Sequence, residues 1–146
     1  MPTTVDRDQS LEQLEAVAWD KPSFESSLVL RCHDLRRKPL RDLAVDDLRL
    51  LIGQKIGLEF LVPLALEHLQ QDPLVAGSLF RGDLLAAVLR IEEGFWNEHD
   101  DMYWLFREVL GEVQSIADLL AAENERLTIL LTLKSGGSGS ESTTAS

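Results

Sequence analysis

The segment DLRLLIGQKIGLEFLVPLALEHL, Asp47 to Leu69, decides the fold. Leu48, Leu51 and Ile52 recur at three- and four-residue spacing, the signature of one helix face. Asp46 and Asp47 stand in the opening turn of that helix, where carboxylates complement the positive end of the helix dipole. Gly53 and Gly57 bracket a break. From Leu58 to Gln70 the chain is apolar almost all round, through Leu58, Phe60, Leu61, Leu64, Ala65, Leu66 and Leu69, which predicts a helix buried at the centre. Pro63 either kinks that helix or marks the first turn of its second half.

Working toward the N-terminus, Lys38 precedes Pro39 and is biased away from helical dihedrals, so a helix from Ser26 stops near Arg37. Its last turn carries Arg36, Arg37 and Lys38, where cations suit the dipole. Ser10 with Gln13 reads as a capping box opening a short helix over Leu11, Leu14 and Val17 that ends near Asp20-Lys21-Pro22. Toward the C-terminus, Asp72-Pro73 ends the central helix, Gly77 and Gly82 mark turns, and Asp83 reads as the N-cap of a helix over Leu84 to Ile91. After Gly94, the residues Met102, Leu105, Phe106, Val109, Val113, Ile116 and Leu120 describe a long amphipathic helix. Leu127 to Leu133 suits either a continuation of it or a strand, given its Thr and Ile content. SGGSGSESTTAS, from Ser135, offers nothing to bury and predicts an unstructured tail. The expectation is an all-α single domain, a compact bundle of about five to seven helices over residues 10–134, with a loose leader at 1–9 and a disordered tail at 135–146.

A chain of 146 residues with 45% apolar content can build one core, burying roughly 68–70% of its unfolded surface. It carries 14 basic and 25 acidic residues, a net charge of −11. That balance argues against nucleic acid as partner, because such binding is driven by Lys and Arg displacing counterions. It suits a basic protein. A single cysteine, Cys32, can form no internal disulfide. The first residues show no secretory pattern, and no apolar run approaches the roughly 20 residues of a membrane span. The expected location is the cytoplasm.

Catalytic and metal chemistry find little to work with. His33, His68 and His99 sit in no metal-ligand spacing, and adjacent Cys32 and His33 point about 100° apart on a helix. Gly53 to Gly57 lacks the spacer and the terminal Lys-Ser/Thr of a phosphate loop. The expectation is therefore no enzyme, no cofactor and no metal. The basic group Arg31, Arg36, Arg37, Lys38 and Arg41 has no interleaved aromatics and reads as helix-end compensation and ion pairing with acids elsewhere.

The acids are more informative. Between Glu92 and Arg126 stand ten acids against Arg107 and Arg126, a local balance of −8. On one continuous helix Asp101, Glu108, Glu112 and Glu123 fall within roughly 60° of each other. Trp96 and Trp104 lie beside Asp100 and Asp101, and an aromatic anchor inside a charged rim is a common binding arrangement. Trp96, Asp100, Asp101, Trp104, Glu108 and Glu112 are thus the candidate contact residues, with Asp46, Asp47 and Asp83 as secondary candidates. The plainer alternatives are a solvated helix face for the acids and core packing for the tryptophans.

Several segments together resemble the immunity proteins of contact-dependent growth inhibition (CDI) systems. They are Leu11, Leu14, Trp19 and Pro22; Lys38-Pro39-Leu40; Asp47 to Arg49 with Ile52 to Leu58; Pro63 to Leu66; and Gly82 to Leu85. The similarity runs from about Ser10 to Leu110, and Gly77 to Arg81 depart from the family's more acidic, aromatic turn. The resemblance implies a stoichiometric inhibitor that binds the toxic C-terminal domain of a CDI effector in the cytoplasm. Many such toxins are nucleases with basic substrate-facing surfaces, so exposed carboxylates suit the task. Simultaneous charge reversal of Glu108 and Glu112 is then expected to weaken toxin binding by about tenfold or more. The competing expectation from the residues alone is a small acidic helical adaptor for some other basic protein.

Overall fold

The computed structural model describes residues 5–20 and 26–143; Pro22 lies outside them. Eight α-helices occur among these: α1 (Leu11–Glu15), α2 (Ser27–Leu35), α3 (Val45–Gly53), α4 (Leu58–Gln71), α5 (Asp83–Leu89), α6 (Glu93–Glu98), α7 (Asp100–Ala122) and α8 (Asn124–Thr143). A 3-10 turn covers Leu40–Asp42. The described residues contain two isolated β-bridges and no strand. The all-α expectation holds, with α6 and α8 as separate helices beyond the six read from the sequence. The chain divides into two bodies, Met1–Val109 and Leu110–Ser146.

In the first body α3, α4 and α5 pack on one another, with α2 against α3. Leu61, Val62, Ala65 and Leu69 of α4, Leu51 of α3, and Leu84 and Val88 of α5 are fully buried. Each such Leu or Val side chain contributes about 1.5–3 kcal/mol of burial free energy. The run that is apolar all round is therefore the centre of the bundle. α4 passes through Pro63 without a break.

The break before α4 rests on one glycine of the pair. Gly57 is the N-cap of α4 at φ +62, and a Cβ there would lie 2.7 Å from Cδ2 of fully buried Leu11. Both the left-handed backbone and the close approach of α1 demand glycine. Gly53 makes no such demand: it ends α3, a Cβ on it would meet nothing within 4 Å, and Lys55 takes the positive φ instead.

α1 is secured by its capping box. The Ser10 hydroxyl accepts the Gln13 N–H at 3.2 Å, and Gln13 Oε1 accepts the Ser10 N–H at 2.9 Å. The helix is shorter than the sequence suggested, because Ala16 turns left-handed at φ 54. The chain then runs across buried Arg36, which donates to Glu15 at 2.8 Å and to the Val17 carbonyl at 2.9 Å, with its guanidinium 4.3 Å from the Trp19 ring centre. The leader is tied down from Arg7 on: the Arg7 carbonyl accepts from the Arg41 N–H and the Gln9 carbonyl from the Leu40 N–H, both at 3.0 Å.

In the second body Leu127 to Leu133 is helical, which resolves the helix-or-strand alternative. α8 continues to Thr143 and so takes in part of the Gly/Ser stretch expected to be unstructured. An existing helix extends at one hydrogen bond per residue fixed, without the cost of a new nucleus. Glu123 stands between α7 and α8, in the second body with Glu112.

Candidate functional site

The first body carries two groups of carboxylates, and local structure gives them opposite surroundings. The first gathers Asp46, Asp47 and Asp83 where α3 and α5 begin. Asp83 is the first residue of α5; Gly82 is the N-cap, at φ +89, in place of the expected Asp83. The Asp83 side chain turns back onto the preceding loop, accepting the N–H of Gly77 at 2.6 Å and of Leu79 at 3.0 Å, with Arg49 Nε 3.8 Å away. Burial pushes this carboxyl up, but the N–H groups of Gly77, Leu79 and Phe80 together with Arg49 outweigh it and leave it below its ordinary value.

Asp46 completes the clamp. It takes Arg49 Nε at 2.7 Å, Arg31 Nη2 at 2.9 Å, and both the N–H and the hydroxyl of Ser78 at 2.9 Å. Arg49 above all, then Arg31 and Ser78, hold its carboxyl well below the usual carboxylate range against a partial burial cost. Gly77 fits between the two acids: a Cβ there would lie 2.7 Å from Asp46 Oδ1 and 3.0 Å from Asp83 Oδ2. Asp47 accepts the Ala44 N–H at 2.9 Å and pairs with Arg31 at 3.2 Å and Lys38 at 3.7 Å. All three secondary candidates are thus engaged inside the fold. The loop they hold presents Leu79 and Phe80 to solvent.

The basic residues of α2 and the turn after it are spent the same way. Arg31 pairs with Asp46 and Asp47, Arg36 with Glu15, Arg37 with Glu12, Lys38 with Asp47 and Arg41 with Asp8. The expectation of ion pairing holds for all five.

The second group lies at α6 and the start of α7. Asp100 and Asp101 occupy the opening turn of α7, and Glu108 stands two turns on; all three are exposed. Among the described residues none of the three makes an ion pair. Trp104 beside them is 59% exposed, with the Arg107 guanidinium 5.5 Å from its ring centre. Trp96 differs: its ring stacks at 4.9 Å and 10° on Phe106, which is buried. Glu112 is exposed and belongs to the second body.

Beside Asp101 lies a cleft of about 890 Å³, unread in the sequence because it forms between α4, α7 and the segment before α1. Phe60, Pro63, Leu64, Met102 and Leu105 give it apolar walls, and Glu59, Glu67 and Asp101 stand at its edge. Arg7 also lines it and holds Glu67 through two guanidinium nitrogens. That contact, ahead of a partial burial cost, keeps the Glu67 carboxyl below its ordinary value.

Among the described residues no three His, Cys, Asp or Glu are arranged to hold a metal ion, and no helix is long and apolar enough to cross a membrane. His33 is buried, its Nε2 donating to the Trp19 carbonyl at 3.2 Å, and Cys32 beside it is buried too. The described residues are thus mainly helical, in a chain of net charge −11. The model of a family described as CDI immunity proteins matches residues 13–103, more than half of the chain, and the protein belongs to that family. The match takes in α2 to α6, both carboxylate groups of the first body up to Tyr103, and leaves out α8. No curated protein and no solved structure matches the chain.

Proposed function

We propose that this immunity protein acts in the cytoplasm as a stoichiometric inhibitor with no catalytic activity of its own. It binds the toxic C-terminal domain of a CDI effector, a nuclease whose substrate-facing surface is basic. Membership of the immunity family, through the match over residues 13–103, carries the reading. The net charge of −11 supports it, since carboxylates steer a cationic partner and raise its association rate.

In this reading Asp100, Asp101 and Glu108 surround Trp104 as an anchor. Their charge has no internal counterion among the described residues, so a partner's Lys and Arg meet it without breaking pairs within the fold. The test is co-purification with the terminal domain of the effector encoded beside it, followed by protection from growth arrest. The wild-type chain is expected to bind and protect. Reversal of Asp100, Asp101 and Glu108 to Lys is expected to weaken binding by about tenfold or more and to flatten its salt dependence. Absence of a complex at modest salt would overturn the function, and undiminished binding by the triple variant would overturn the contact surface.

A further inference from the structure

From the cleft between α4 and the start of α7 we infer the seat of a short basic-apolar segment of the toxin domain, with apolar side chains on its walls and an Arg or Lys at its acidic edge. The inference rests on the reading that the partner is a toxin domain. It adds which element of the partner is received, and where.

Three observations carry it. Phe60, Met102 and Leu105 leave apolar surface in the cleft, and Leu105 remains 39% exposed. Apolar surface in a concavity gains by being covered. Glu59 and Asp101 line the same cleft with no ion pair among the described residues, so covering it with a neutral apolar segment strands two carboxylates. The third observation is Arg7. Its guanidinium, carried on the chain's own leader, already sits on Glu67 at the edge of this cleft. The molecule thus displays the chemistry the edge accepts: a planar cation reaching a carboxylate from a turn of the chain outside any helix.

The charges also exclude other occupants. A nucleic acid or other polyanion is repelled by the edge. A second copy of the chain brings a further net charge of −11 to the same place. A small cation satisfies the carboxylates and leaves the apolar walls wet. A cationic, apolar stretch of another protein meets both demands.

The test uses the full chain and the effector's terminal domain made inactive by substitution, with affinity measured at low and high salt. Four proteins are compared: wild type, Glu59→Lys with Asp101→Lys, Leu105→Glu, and Arg7→Ala. All these positions are exposed, and a cooperative thermal transition in each variant confirms folding. The charge-reversed and Leu105→Glu variants are each expected to bind about tenfold or more weakly, the first chiefly at low salt and the second at both salts. Arg7→Ala releases Glu67 and is expected to bind as well as wild type or more tightly. If wild type binds and the first two variants bind equally well, the cleft is not the seat. A tenfold loss in Arg7→Ala also overturns the inference, because Arg7 is then itself a contact. If wild type forms no complex, the toxin-binding function itself falls.

Discussion

Asp83 and Asp101 begin as the same physical object, a carboxylate in the opening turn of a helix, and end in opposite circumstances. Asp83 is 1% exposed at its side chain and is enclosed by loop N–H groups and Arg49. Asp101 is exposed and pairs with nothing among the described residues. The helix dipole favours both equally, so it cannot be what separates them. The difference lies upstream. Before α5 a loop with Gly77 folds back until its N–H groups reach the acid, whereas before α7 only His99 separates α6 from the next helix. A carboxylate is structural where the preceding backbone can wrap it, and available to a partner where it cannot.

Removing the wrapped acid should have the largest effect. Asp83→Ala leaves the N–H groups of Gly77 and Leu79 without their acceptor, while Arg49 keeps Asp46, so it is expected to lower stability by about 2–4 kcal/mol, read as a shift in denaturant midpoint. Gly77→Ala probes the same clamp from its other side, pressing a methyl group between Asp46 and Asp83 at a cost of about 1–3 kcal/mol. A midpoint unmoved by either change removes the distinction between the two groups.

Acid provides the next test. The folded-state values of Asp46, Asp83 and Glu67 all lie below those of ordinary carboxylates. As pH falls through the ordinary range near 4, the unfolded chain takes up protons that the folded chain refuses. The stability these acids contribute is therefore complete above that range and is lost as pH drops toward their depressed folded values. Midpoints measured from pH 6 down to pH 2 should fall steadily. Asp46→Asn should start lower and fall less, since one of the groups that drives the loss is gone.

Much of the fold was legible because periodicity is a local signal. The capping box at Ser10, the helix starts near Asp46 and Leu58, and the central burial of α4 all follow from residues three or four apart. Five basic residues were read as ion-pairing, and all five pair. What stayed hidden depends on approach in space. Gly57 and Gly53 look alike in the sequence, yet only Gly57 has Leu11 against it. Asp83 read as an N-cap because the hydrogen-bonded loop that claims its oxygens is made only in the fold. The cleft between Glu59 and Asp101 joins residues about forty positions apart, and no local pattern announces it. A tie between Arg7 and Glu67 has the same origin; it holds down a leader that composition alone marked as loose.

The tryptophans carry the comparison to aromatic side chains. Trp96 stacks on buried Phe106, so Trp96→Ala is expected to cost about 1–3 kcal/mol of stability. Trp104 is more than half exposed, and its removal should leave stability within about 0.5 kcal/mol while weakening toxin binding tenfold or more. The two readouts must separate: a Trp104→Ala protein that unfolds early places this ring in the core, and one that binds unchanged takes it out of the contact.

Asp101→Asn carries the smallest expected change and the sharpest contrast with Asp83. It deletes one charge in the first turn of α7, where the dipole interaction is worth about 0.3–1 kcal/mol, and it strands no donor among the described residues. The denaturant midpoint should therefore move by less than half of the shift caused by Asp83→Ala. Were the two shifts equal, Asp101 would be held by the fold as firmly as Asp83, and its carboxylate would not be free for a cation of the partner. A small shift together with a loss of salt-sensitive affinity assigns the two acids to different tasks, one to holding a loop and the other to meeting the toxin.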